Sequence, residues 1–282
     1  MKKIILTADD FGLSFRINEA VEEAHRRGTL TAASLMVAGK ATADAVERAR
    51  RSPSLKVGLH LVLVDGSPVS PPETIPNLVD QKGRLSSPLF GAGINFFFWP
   101  KVRQELQAEI RAQFEAFRKT GLPLDHVNAH HHMHLHPTIS ELILKIGRDF
   151  GMKAMRLPYE PLFPSWRASR KSLLRRIGNW LLVAPWVSLL RKKFNRAGMY
   201  SNDFVFGMND SGHMNLDLVL RFLSQLPPGV TEIYFHPEIS DIHRMAKDGY
   251  RQREYEALIH PRLHQALLTS DIQLIAFSDL KG

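Results

Sequence analysis

The sequence predicts an α/β protein of seven or eight βα units around parallel strands, arranged as a barrel or a large open sheet. Three observations carry this. Short apolar runs alternate with amphipathic ones along the chain, which is the pattern of parallel βαβ crossovers. The length of 282 residues suits one large α/β domain, for which roughly 250 residues is common. Polar groups recur at the C-terminal ends of the apolar runs, where parallel barrels collect their functional side chains. These are Asp9 and Asp10 after the first run, His60 in the third, His130 after the fourth, Arg156 in the fifth and His236-Pro237-Glu238 at the end of the seventh.

In order, the strand candidates are 3–8, 32–37, 57–63, 125–129, 153–157, 203–207, 231–236 and 272–277. The helix candidates are 15–27, 41–51, 101–119, 138–150, 215–225 and 251–269. The first helix carries Ile17, Ala20, Val21 and Ala24 on one face and stops at Gly28, a residue suited to a C-cap. Pro137 is placed to open the helix after the histidines and Gly151 to close it. Two stretches are too long to be simple connections and read as functional loops or insertions. Residues 64–100 are rich in Pro, Gly and Ser and end in Phe96-Phe97-Phe98-Trp99-Pro100, and residues 158–202 are basic. With no internal repeat or domain boundary, residues 1–282 read as one domain with a basic amphipathic insertion at about 160–200.

A hydrophobic fraction of 44% is ordinary for a protein with a real core, and the absence of cysteine excludes disulfides and thiolate–metal sites. No run approaches the ~18 apolar residues of a transmembrane helix, and Met1-Lys2-Lys3 leads straight into a strand, so no signal peptide is expected. The net charge of +9 is concentrated: Glu160 to Asp203 contains nine basic residues and no acidic one between its ends. The rest of the chain is balanced.

Six of the 13 histidines fall between His126 and His136, a density that core packing does not require. Imidazole is the commonest metal ligand and titrates near neutral pH. A catalytic zinc site uses about three protein ligands, so one or two of the cluster are expected to bind a metal. The others, His132 and His134 among them, would orient ligands or touch substrate. An adventitious surface cluster is the plain alternative. Asp9 and Asp10 leave their strand in opposite directions, so one can bind metal while the other stays free as a base; alternatively Asp10 or Ser14 caps the following helix. His60 in an apolar strand is either a hydrogen-bonded core residue or a third ligand. His236 is a general-acid candidate or a turn residue, with Glu238 beside it for substrate. Arg156 is a structural ion-pair partner or the group that orients the base.

The segment from Trp166 to Phe194 interleaves Trp166, Trp180 and Trp186 with leucines and clustered arginine and lysine. It reads as an interfacial anchor, a buried helical hairpin with a basic edge, or a nucleic-acid-binding stretch, for which no accompanying motif exists. The apolar stretch Trp180–Leu190 spans 11 residues and includes Pro185, so it would lie on a bilayer rather than cross it.

Thr7-Ala8-Asp9-Asp10-Phe11-Gly12-Leu13, Gly58-Leu59-His60, His130-His131-His132-Met133-His134 and His236-Pro237 follow one another across most of the chain. Together they resemble the motifs of the YdjC-like carbohydrate deacetylases. The resemblance implies a distorted (β/α) TIM-like barrel of seven to eight parallel strands, of the glycoside hydrolase/deacetylase type, carrying the basic helical insertion. It implies Asp10, His60 and His130 as ligands of one divalent metal and Asp9 as general base. Zinc suits this donor set best, with magnesium or another divalent ion as the alternative. Family members usually have Asp where this chain has Asn128. Within the family the chain is most similar to hopanoid-biosynthesis-associated deacetylases, which implies an N-acetylglucosaminyl glycolipid substrate. Soluble N-acetylated oligosaccharides and a non-catalytic lipid-binding barrel are the alternatives. The expected setting is cytoplasmic, peripheral on the inner face of the membrane through residues 165–196. Trp166, Trp180 and Trp186 would contact substrate, no nucleic acid is expected, and a homodimer is left open.

Overall fold

The computed structural model describes residues 1–85, 99–240 and 245–280. The aromatic run at Phe96–Phe98 lies outside the described residues. Among the described residues seven parallel strands form the sheet: β1 (Lys2–Phe11), β2 (Ala32–Leu35), β3 (Lys56–Leu61), β4 (Val127–Ala129), β5 (Phe204–Phe206), β6 (Gly229–Phe235) and β7 (Ile272–Leu274). Their order is β4-β3-β2-β1-β6-β5. β1 pairs with β6 along one edge, while its other edge is shared by β7 at Lys2–Ile4 and β2 from Thr7 onward.

The predicted strand at 153–157 forms isolated bridges instead. Val127 bridges Met155 and Ala154 bridges Tyr200. Backbone bonds join residues 153–156 to Val127 on one side and Tyr200 on the other, but at Leu157 a side chain takes over: Leu157 N–H donates to Asn202 Oδ1, and Asn202 Nδ2 donates back to the Leu157 carbonyl, both at 2.8 Å. These contacts carry the curved sheet from β4 toward β5 and make it a distorted, TIM-like barrel.

Nine helices surround it among the described residues: α1 (Phe15–Arg27), α2 (Thr42–Arg51), α3 (Pro100–Lys119), α4 (Pro137–Asp149), α5 (Leu162–Ser169), α6 (Leu173–Ala197), α7 (Leu216–Ser224), α8 (Met245–Ile259) and α9 (Pro261–Leu268). Ser14, not Asp10, caps α1, accepting from Ile17 N–H, and Gly28 ends that helix. Pro137 occupies the first turn of α4. The single helix expected at 251–269 is two, because Pro261 cannot continue α8 and instead opens α9 behind an N-cap at His260. The basic segment is ordered as α5 and α6, and Pro185 lies inside α6.

Strand alternation divides the core. Ile4, Leu6, Ala8, Leu35, Leu59, Ile233 and Phe235 belong to the large cluster shared with the helices. The inner face holds a much smaller cluster of Ile5, Ala32, Ala154, Ile275 and Phe277. Register then places Thr7 beside Tyr234, Ser34 beside Gly58 and His60 beside Asn128. The barrel interior therefore passes from apolar at its closed end to polar at its C-terminal mouth. Gly58 is required by this packing, since a Cβ there would fall 2.5 Å from the His126 ring.

Candidate active site

At the mouth, β1 ends in two buried carboxylates with different surroundings. Asp9 stays in the strand and faces inward. The register of β1 against β2 slips between Ala8 and Phe11, and Asp10 takes φ +64, a left-handed conformation that aspartate tolerates better than most residues. The slip turns Asp10 away from Asp9, toward His60 and His130.

Arg156 grips Asp9 with two bonds, Nη1 to Oδ2 at 2.6 Å and Nη2 to Oδ1 at 3.0 Å. Its Nε and Nη2 also bond the two oxygens of Glu232, each at 2.8 Å. All three side chains are buried. Burial by itself would raise the Asp9 carboxyl, but the Arg156 guanidinium, with His60, holds it well below the usual carboxylate range. Burial likewise opposes the charge on Arg156, and Asp9 and Glu232 reverse that, raising it. Arg156 is thus neutralised and fixed, which a buried cation requires.

Asn128 ties Asp9 to His60. Its Nδ2 donates to Asp9 Oδ1 at 3.0 Å and to Ser34 Oγ at 2.9 Å, and its Oδ1 lies 2.7 Å from His60 Nδ1. Because an ionised carboxylate only accepts, the amide faces Asp9 and the carbonyl faces His60. His60 Nδ1 therefore carries the proton, and Nε2 presents a lone pair. Burial pushes the His60 pKa down to about 4, against the pull of Asp9, so the ring is neutral and able to ligate near neutral pH. Behind Asn128 the chain of bonds continues from Ser34 to His126 at 2.9 Å, then to Asp125 at 2.9 Å and to Ser278 N–H at 2.9 Å.

The three metal-ligand candidates meet. His60 Nε2, His130 Nδ1 and Asp10 Oδ1 are separated by 3.2, 3.6 and 3.5 Å. A triangle with such edges has corners roughly 2.0 Å from its centre, the usual zinc–nitrogen distance. Asp10 Oδ1 is buried and accepts no hydrogen bond, whereas Oδ2 accepts from Arg251 Nη2 at 2.9 Å. The orphaned oxygen faces two imidazoles, so the donor set fits a divalent ion. Burial would raise Asp10, but His130, His236, His60 and Arg251 drive it far below the usual range.

These groups line a cavity of about 350 Å³ with His131, His132, Met208, Ser211, Tyr234, His236, Tyr250 and Arg251. His132 Nε2 lies 3.1 Å from Tyr234 OH, and His236 packs edge-on against Tyr234 at 5.6 Å. His131 sits at the rim beside Asp65. His134 is fully buried, does not line the cavity, and is held neutral, its pKa lowered to about 3 by burial and by Arg156. Glu238 lies outside the lining, with Oε2 4.0 Å from Arg251 Nε. Trp166 is half-buried on α5, Trp186 is exposed on α6, and Trp180 lines a different cavity.

Sequence reasoning missed Glu232, Tyr234 and Arg251. Glu232 had a signal, since a carboxylate inside an apolar strand needs a buried cation. Arg251 had none, because α8 supplies it from far along the chain.

The sequence model of the family described as YdjC-like protein matches residues 3–269. The relatives this chain is similar to include two named carbohydrate deacetylase. One, from Brevibacillus brevis, is 31% identical and covers 99% of each chain. The other, from Vibrio cholerae, is 28% identical and covers 99% of this chain and 96% of its own. A crystal structure from Enterococcus faecalis V583, described as a candidate cellobiose-phosphate cleavage protein, superposes with a TM-score of 0.76 at 26% identity, over 99% of this chain and 98% of that one.

Proposed function

Since this chain belongs to the YdjC-like family, we propose that it is a divalent-metal-dependent N-deacetylase of an acetylated amino sugar. An N-acetylglucosaminyl glycolipid of the hopanoid class is the preferred substrate, and soluble N-acetylated oligosaccharides are the alternative. The carrying observation is a donor triangle of Asp10, His60 and His130 in the same cavity as an Arg156-clamped Asp9. A bound divalent ion supplies Lewis-acid polarisation of the amide carbonyl and acidifies water. Imidazole donors favour zinc over magnesium, which prefers all-oxygen surroundings.

The chain's own groups supply the proton traffic. Asp9 accepts the proton of the attacking water. Arg156 and Asn128 keep Asp9 ionised and aimed, at some cost in basicity, because the same bonds that fix it lower its pKa. His236, at the end of the neighbouring strand β6, donates a proton to the departing sugar amine, without which nitrogen is a poor leaving group. His132 and Tyr234 form the wall that receives the sugar.

The glycolipid preference is supported by α6. At ~100° per residue, the exposed Leu174, Leu181, Leu182, Trp186 and Leu189 fall within an arc of roughly 140°. Exposed Arg175, Lys192 and Arg196 lie on the same side, toward the helix ends. An apolar strip flanked by cations fits an anionic membrane surface. Among the described residues no helix is long and apolar enough to cross a membrane.

The test is acetate release from an N-acetylglucosaminyl hopanoid in detergent micelles beside a soluble chitooligosaccharide, with and without chelator. Chelator-sensitive release that favours the lipid is the expected result. Release from the soluble sugar alone discards the lipid preference. Absence of release from either by metal-loaded protein removes the deacetylase reading.

A further inference from the structure

On the far side of Met208 from the catalytic groups lies a second cavity of about 150 Å³. Met208 lines both cavities. The second has a different character: Tyr159, Leu162, Trp180, Val183 and Ala184 line it together with Glu160, Arg176, Asn179 and Asn209, and no histidine is among its lining residues. Tyr159 follows the segment that carries Arg156, and Met208 follows β5, so both belong to the barrel mouth. Trp180, Val183 and Ala184 come from α6. The basic insertion is thus one wall of a chamber beside the catalytic cavity.

The chamber is built on a fixed frame. Arg176 of α6 is buried, with Nη2 at 2.6 and 2.7 Å from the two oxygens of Asp210 and Nη1 at 3.2 Å from Glu160. Glu160 Oε2 accepts from Asn209 N–H at 3.0 Å. These bonds pin α6 to the loop that carries Met208. Trp180 adds an anomaly. Its indole N–H is screened from solvent and has no acceptor among the described residues. A buried donor left unpaired is uncommon, and an oxygen of a bound molecule would satisfy it. An apolar cavity of about this volume accepts a six-membered hydrocarbon ring. Leu182, also in the lining, is largely exposed, so the chamber opens toward the apolar strip of α6.

We propose that this chamber is an aglycone site. It takes the first hydrocarbon ring attached to the amino sugar, with a linking oxygen near Trp180, while the sugar occupies the polar cavity across Met208. The turnover readout rests on the deacetylase reading; the binding readout does not.

The experiment compares benzyl and methyl glycosides of N-acetylglucosamine as substrates for the full-length, zinc-loaded protein. Benzyl and methyl glucosides, which have no amide to cleave, are compared by calorimetry. Burying one ring predicts roughly a tenfold or greater preference for benzyl over methyl, in kcat/KM and in affinity. Ala184→Trp fills the chamber and should bring both ratios toward one, with Val183→Trp as a second filling variant. The methyl glycoside is the internal reference for each variant. Turnover without a benzyl preference overturns the aglycone site and leaves the deacetylase reading standing. A benzyl preference in binding without turnover does the reverse. Equal binding of the two glucosides, or ratios unchanged in folded Ala184→Trp and Val183→Trp, also overturns it.

Discussion

Arg156 and Arg176 are two fully buried arginines, each clamped between two carboxylates: Asp9 and Glu232 for the first, Glu160 and Asp210 for the second. Their surroundings differ. Asp9 lines a cavity with three converging metal donors, whereas Glu160 borders the second cavity, which has no such donor cluster among the described residues, and Glu160 and Asp210 spend their remaining bonds on Ser165, Ser169 and the Asn209 backbone. The same motif therefore holds the proposed base in one place and anchors a helix in the other. A buried ion pair alone does not indicate chemistry; what its carboxylate faces does.

The widest test of that contrast is to remove each cation. Arg156→Met and Arg176→Met each strand buried carboxylates and should each cost about 3–5 kcal/mol of stability by chemical denaturation. At a temperature where both variants remain folded, only Arg156→Met should change the pH dependence of kcat. A shifted kcat profile in Arg176→Met would erase the distinction.

A smaller effect is expected from Asn128→Ala. It frees His60 to choose the other tautomer, so zinc affinity measured by competition should fall roughly 10–100-fold. Unaltered affinity would mean that Asn128 does not set the ring.

The third test concerns acid. His134 has its pKa lowered to about 3, against ~6.5 in an unfolded chain. The unfolded state takes up a proton that the folded state refuses. This contribution is intact above about pH 6.5 and is lost toward pH 3, at up to ~1.4 kcal/mol per pH unit. Asp125, whose burial would raise it but whose bond to His126 lowers it, adds a further loss only below its unfolded pKa of ~3.9. Denaturation curves between pH 7 and 5 should show the histidine slope, reduced in His134→Gln. An identical slope in that variant would exclude His134 as its source.

The smallest effects belong to the exposed cations of α6. Neutralising Arg175, Lys192 or Arg196 should each weaken binding to phosphatidylserine vesicles about fivefold, or ~1 kcal/mol, while hydrolysis of a soluble substrate is retained. Vesicle binding insensitive to all three would point α6 at another partner.

Much of this was legible in the sequence, for identifiable reasons. Strand ends announce themselves where an apolar run stops at Asp9 or His236 or is interrupted at His60, and parallel topology sends such ends to one mouth. Asp10, His60 and His130 converge there as expected. The end of the ladder at Leu157 was hidden, because there Asn202 substitutes a side chain for a strand partner and leaves no periodic trace. The division of 251–269 was signalled by Pro261. Arg251 and Tyr250 reach the site from a helix far along the chain, and no local pattern encodes that approach. The tautomer of His60 depends on which way Asn128 faces, and only the neighbouring Asp9 decides that.

The central claim is that Asp9 and the metal donors are separate parts of one machine. Zinc titration and acetate release, both measured on Asp9→Asn, test it most directly. The account predicts zinc bound with near wild-type affinity and acetate release slowed by roughly 10²–10⁴-fold, the usual contribution of a general base. Turnover at the wild-type rate with zinc bound would contradict it.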